Sequence, residues 1–575
     1  MSIRSAFRAT FVVPAAILLA GSIFSAPQSA VDQAAKAKKA SISGRVVDLS
    51  GAPVAKARVS AEAGTSEVGQ RERSYVSGTG LDGKFTLEGL DAGSYRIVVE
   101  RAGYLREVLE RRTAGGNGRW IALKPGQEMG DIVVHLTPEA TLAGRVLDED
   151  RDPVANVSVR LFGYRYQLGL RRTEPMALGE TDSSGAFRLT GIGPGQYYMV
   201  AMPRKTLIES SALPSGKRIQ YGNIPTYYGG SAEASAAQQI AIFPGESATV
   251  GDLILRKAPI VHIRGRVSAD AFSGATGRTV VRAVADDDGS AVGTLDAPTA
   301  VVSPREGTFD VVDATPGRYT LVVTNLIGGI KILGRESLAV GDKDVDDVVV
   351  TLLAGEVAGS FVYTGTKSAP NTSQGGIPEV KANLALPYVV LLPEGPATVG
   401  NPAQPVKNDS FLFRNVSPGL YRVRVTRLPS DVYLQSIRSA DGEDLLAADL
   451  DLTRGGHRAI TVTLSRSPAG LDGSVVDDEG KTLPDIIVTS APKPLDARQA
   501  HRYLTASSDE NGHFTIHGLA PGEYCLYTWR KLADGEEFND DLLQREGQRC
   551  TSVELQEGGT QNVQLTFRPA KAQGQ

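Results

Sequence analysis

The sequence predicts an all-β protein built as tandem antiparallel β-sandwich domains, five units following a leader segment. Three observations predict it. A frame of Phe, Gly and Tyr recurs as Phe85/Gly93/Tyr95, Phe187/Gly195/Tyr197, Phe309/Gly317/Tyr319, Phe411/Gly419/Tyr421 and Phe514/Gly522/Tyr524, with Phe to Gly always 8 and Phe to Tyr always 10. Such constancy amid little other identity marks one repeated folding unit. Apolar residues around the frame alternate with period two, and no stretch sustains a helical period. Finally, 575 residues exceed one core; at about 100–150 residues per domain, roughly four to six domains are expected.

Each copy opens on a turn: Asp82-Gly83, Ser184-Gly185, Glu306-Gly307, Asn408-Asp409 or Asn511-Gly512, residue types that tolerate the positive φ of tight turns. Phe then shares one strand face with Leu87, Leu189, Val311, Phe413 or Ile516 two residues on, and that face points inward. Pro194, Pro316, Pro418 and Pro521, with Ala92 in the first copy, precede the frame glycine. Pro fixes one φ and Gly frees the next, so the chain is expected to reverse there and return as a hairpin. Tyr opens the returning strand and alternates with further apolar residues (Ile97, Val99; Leu321, Val323; Val423, Val425). It therefore faces the core, where its hydroxyl is expected to bond back to the preceding turn. All five Phe and all five Tyr are read as structural.

The units are placed at 41–137, 138–257, 258–352, 353–467 and 468–569, after a leader at 1–26 and a linker at 27–40, with a tail at 570–575. Arg4 and Arg8, an apolar stretch from Phe11 to Ala20 and small residues from Ser22 to Ala26 have the outline of a secretory signal peptide. No later apolar run is long enough to span a bilayer. The expected setting is periplasm, outer surface or extracellular space. A formal charge of −4 gives no basic excess for nucleic acid. Short gaps between closing and opening strands keep neighbours close, and the units form a rod of order 150 Å if they do not fold back. Cys525 and Cys550, the two cysteines, face an oxidising compartment, where a disulfide is expected and two free thiols are the alternative.

The openings Gly44-Arg45-Val46-Val47-Asp48, Gly51-Ala52-Pro53-Val54 and Ala57-Arg58-Val59, followed by Asp82-Gly83-Lys84-Phe85 and Tyr95, resemble the carboxypeptidase regulatory-like domain. The second and fifth units keep most of this pattern; the third and fourth keep the opening Gly and the later frame. The resemblance implies a transthyretin-like, carbohydrate-binding-like or immunoglobulin-like sandwich and a non-catalytic accessory, adhesive or sugar-binding role.

The chemistry of the chain is tested residue by residue. The zinc carboxypeptidases use His-x-x-Glu, and none of His135, His262, His457, His501, His513 and His517 has Glu three residues on; no catalytic residue, metal or cofactor is expected. Asp342, Asp344, Asp346 and Asp347 fail the calcium-loop pattern, with Leu353 where its last glutamate belongs. A Lys–Asn isopeptide crosslink is not expected, since the first strand offers Arg45. Sugar binding needs an exposed aromatic face beside polar groups. Its candidates are Trp529 with Glu536, Glu537, Asn539 and Asp540, then Tyr227 with Tyr228, with Trp120 a third; the alternative is that these rings anchor their own loops. The reading is a binding or spacer protein whose partners are polysaccharide or envelope proteins, or else a passive scaffold or accessory subunit.

Overall fold

The computed structural model describes residues 38–63, 74–109, 120–203, 209–212, 218–268, 279–286, 297–325, 331–365, 387–394, 404–405, 409–530, 532 and 535–568. The leader, most of the 27–40 linker, Asp287 to Gly289 and the 570–575 tail lie outside them. The described chain is nearly all β, with one short α-helix at Asp540–Arg545. Among the described residues, five large clusters of buried side chains each contain one Phe and one Tyr of the frame.

The same layering surrounds each cluster. In the first, the opening strand Ala40–Asp48 lies between Lys84–Leu90 and Glu128–Leu136; the facing sheet runs Ser74–Gly78, Arg58–Ala63, Gly93–Glu100, Glu107–Val108, with Trp120–Leu123 also on Gly93–Glu100. In the last, Ala469–Val476 lies between His513–Leu519 and Thr560–Thr566, facing Leu504–Ser507, Ile487–Pro492, Gly522–Trp529 and Thr551–Leu555. The closing strand pairs parallel to the opening strand in all five, while the other ladders are antiparallel.

The Phe and Tyr strands are not a hairpin. In every copy they belong to opposite sheets, so the chain crosses the core between them and both rings point into it. The break has a local cause. Four residues after each Phe comes a left-handed residue: Gly89 (φ 76), Gly191 (φ 71), Asp313 (φ 63), Asn415 (φ 55) or Gly518 (φ 82). The ladder register slips beside it in all five, the mark of a β-bulge, which bends and twists a strand out of its sheet. The following proline, where present, cannot donate to a continuing ladder. The positive φ expected at the frame glycine occurs at Gly419 and Gly522 but not at Gly93, Gly195 or Gly317.

The tyrosine then closes the corner. Tyr95, Tyr197, Tyr421 and Tyr524 each donate to the carbonyl four residues back, on Asp91, Gly193, Ser417 and Ala520, at 2.9, 2.8, 2.6 and 2.8 Å. The hydroxyl of Tyr319 instead meets the Thr315 hydroxyl at 2.9 Å and accepts from the Thr315 N–H at 3.3 Å. Burial raises the phenols of Tyr95, Tyr197 and Tyr524, the Tyr95 value being pushed up to about 12.

Neighbouring cores are joined by more than short gaps. Arg256–Val267 is one continuous strand: its first half pairs with Arg218–Ile224, its second with Thr308–Ala314 and Val345–Val350. The position 257/258 lies inside this strand, and the Arg218–Ile224 strand, from the insertion before it in the chain, extends the sheet that carries Phe309. Nor is the chain a simple rod, because the Val157–Gln167 and Leu170–Glu180 hairpin reaches Arg422 and Arg424 on the Tyr421 strand and the small core of Ala500, Tyr503 and Phe538.

Candidate functional site

The alternation that turns Tyr524 and Leu526 inward turns Cys525, Tyr527 and Trp529 outward. That outer face is not bare. The chain after Trp529 folds back over it, so that Phe538 and Leu543 cover Ala491, Ala500, Tyr503, Cys525 and Tyr527 in a second small core. Cys525 and Cys550 are bonded as a disulfide across this loop.

The sugar-site candidates of this loop are used to build it. Trp529 is half-buried, stacks on Tyr527 with centroids 6.0 Å apart and donates its indole N–H to Thr489 Oγ1 at 3.1 Å. Asn539 caps the short helix by accepting from the Leu542 N–H at 3.2 Å. Asp540 accepts from the Tyr503 hydroxyl at 2.9 Å and the Ala497 N–H at 3.1 Å. Burial and the Asp540 carboxylate both push the Tyr503 phenol upward. Glu536 and Glu537 are half-buried on the turn before Phe538.

Tyr227 and Tyr228 belong to another sandwich and form no common site with Trp529. Tyr227 is 5% exposed, edge-on to Phe162, and Tyr228 is half-buried against the Tyr197 core. Trp120 differs: the residue is 44% exposed, at one end of the strand that pairs with Gly93–Glu100. The Arg96 guanidinium lies 5.8 Å from its centroid and is paired with Glu62, which Arg106 also approaches at 3.5 Å.

The remaining polar clusters are internally matched. Arg264 bridges Asp344 and Asp346 at 3.2 and 3.1 Å, and His262 faces Asp310 at 2.9 Å. Arg264, Asp310 and Asp346 border an open groove of ≈ 990 Å³ that Arg266, Val301 and Val349 also line. His513 meets Asp472 at 2.9 Å, away from His517. Among the described residues no group of three or more His, Cys, Asp or Glu could hold a metal ion, and no helix is long and apolar enough to cross a membrane.

Sequence reasoning missed one recurring polar device. Thr79, Thr181 and Ser508, 7%, 4% and 2% exposed, each lie six residues before a frame Phe. Their hydroxyls donate to Val54, Val154 and Leu483 carbonyls, each at 2.7 Å, and accept from Ala57, Val157 and Ile486 N–H groups at 2.8–2.9 Å. The residue before each acceptor-bound N–H is left-handed: Lys56, Asn156 and Asp485. A small hydroxyl at a fixed offset was the available signal.

No curated protein matches the chain. Among solved structures, the Bacillus anthracis TIE protein is 10% identical, with 74% of this chain and 72% of that chain covered and a TM-score of 0.16. A Streptococcal ancillary pilin is 11% identical over 55% of this chain and 99% of its own, TM-score 0.18. GBS52, the minor pilin of Streptococcus agalactiae, is 16% identical over 39% and 97%, TM-score 0.20. The sequence of the first sandwich is the informative part, and over residues 41–122 the chain matches the family model of the carboxypeptidase regulatory-like domain.

Proposed function

We propose that the chain is a non-catalytic, exported protein of the cell envelope that works as a spacer and binding scaffold built from five tandem sandwiches. The observation that carries this reading is where its polar side chains go: Asp540 to Tyr503, Trp529 to Thr489 and Asp344 with Asp346 to Arg264. Groups that could have formed a reactive site instead hold loops and strands. The basic start and apolar stretch of the leader support export. Mass analysis of the mature chain recovered from fractionated host cells tests this: the reading expects a chain lacking the leader outside the cytoplasm, and a full-length cytoplasmic protein contradicts it.

A second reading, that the scaffold also holds polysaccharide, is favoured by the exposure of Trp120, because a pyranose face stacks on an open aromatic ring while flanking charged groups meet its hydroxyls. Glycan-array signal lost in Trp120→Ala and kept in Trp529→Ala supports it. Absence of signal on every glycan leaves the scaffold alone.

A further inference from the structure

The Val157–Gln167 and Leu170–Glu180 hairpin is longer than its sandwich needs. Val157–Gln167 pairs with the Tyr197 strand only through Phe162, whereas the hairpin ladder continues to Gln167↔Leu170. Gly163 to Glu174 is therefore a two-stranded arm projecting beyond its own sheet, and such an arm is marginal in water without further contacts. Its tip is a two-residue turn, Leu168 (φ 49) and Gly169 (φ 81), the twist-matched form that closes a tight hairpin.

The tip is seated on elements about 250 residues away. The Leu168 carbonyl accepts from Arg424 Nε at 3.1 Å and the Gly169 carbonyl from Arg422 Nη1 at 3.4 Å, across sequence separations of 256 and 253 residues. Both arginines sit on the outward face of the Tyr421 strand, yet they are 8% (Arg422) and 4% (Arg424) exposed. Arg422 is also paired with Glu394 at 2.5 Å, and Arg172 of the arm donates to the Pro393 carbonyl. On the other side, Tyr166 packs into the small core of Ala500, Tyr503, Phe538 and Leu543. The fit is close: a Cβ on Gly169 would stand 2.1 Å from the Ala497 carbonyl oxygen, and one on Gly535 1.9 Å from that of Tyr166.

We propose that this arm is a clasp. It holds the second sandwich directly on the fourth and fifth, folds the chain back on itself, and takes the intervening Tyr319 sandwich out of the path along which tension passes. Releasing it adds length without unfolding any core. This stands apart from any ligand of the scaffold.

Solution scattering on the full chain tests it with two variants. One replaces Arg165 to Arg172 by Asn-Gly, so that Tyr164 and Thr173, already paired, are joined by a new tight turn. The other is Arg422→Gln with Arg424→Gln, which leaves the arm intact and decides the matter if the first fails to fold. The clasp predicts a wild-type maximum dimension shorter than either folded variant by about 30 Å, one sandwich diameter, and an early low-force release on pulling that the shortened arm lacks. Equal dimensions in wild type and variants, or no early release, overturn it.

Discussion

Gly359 lies directly across the ladder from Phe411, and a Cβ built on it would stand 2.1 Å from the ring's Cζ. The same pairing joins Gly44 to Phe85, Gly144 to Phe187, Gly265 to Phe309 and Gly473 to Phe514. An aromatic ring laid over a strand glycine replaces the side chain the glycine lacks. At Gly44, Gly265 and Gly473 the carbonyl of the parallel closing strand also comes within 2.1–2.2 Å of the missing Cβ. One glycine thus lets the opening strand meet both its neighbours closely, which explains why the opening Gly and the frame Phe recur together.

Gly359→Ala should accordingly destabilise the Tyr421 sandwich by about 2–4 kcal/mol, since backbone and a packed ring must both give way. Phe411→Leu in the same chain should recover part of that loss, because it removes the ring the methyl strikes. Denaturant unfolding of the single and double variants measures the coupling.

Tyr421→Phe removes the 2.6 Å bond to the Ser417 carbonyl and leaves the ring in place. The expected cost is about 1–2 kcal/mol, the range for a buried acceptor left unpaired. Tyr319→Phe should cost less, because its hydroxyl meets Thr315, whose own hydroxyl can turn to another acceptor. Thermal unfolding of both variants gives the comparison.

Thr181→Val keeps the shape but strands two buried backbone groups, the Val154 carbonyl and the Val157 N–H. A loss of about 2–3 kcal/mol is expected, while Thr181→Ser should retain most of the stability. Faster amide exchange at Val157 in the valine variant checks that the bond itself is responsible.

Burial, then the nearby Arg424 and Arg502 guanidiniums, hold His501 neutral, with its value lowered from 6.5 to about 3. The folded form refuses a proton that the unfolded form accepts below 6.5. Its stabilising contribution is therefore present above that pH and declines as pH falls toward 3, at up to about 1.4 kcal/mol per pH unit. His501→Gln should flatten this part of the profile between pH 6.5 and 4. An unchanged slope would show that other groups set the acid response.

Much of the fold was legible because the frame residues carry its physics. The Phe and Tyr spacings and the period-two alternation place both rings inward, and Tyr421 and Tyr524 are 1% and 0% exposed. The crossing between sheets was not legible in the Pro-Gly pairs; it depends on the left-handed residue four after Phe, which varies among Gly, Asp and Asn, types that fit a turn as well as a bulge. The site was less legible still. An outward Trp529 or Arg424 reads as solvent-facing until a loop or an arm from elsewhere covers it, and period-two reasoning assigns a residue to a face without saying what lies against that face.

Each frame organises a core of its own. Hydrogen exchange on the full chain, comparing wild type with Gly359→Ala, tests this most directly. Protection should be lost within 353–467 and at the arm tip around Leu168, with the Phe85, Phe187, Phe309 and Phe514 strands unchanged. Protection lost together across two or more of those strands would contradict it.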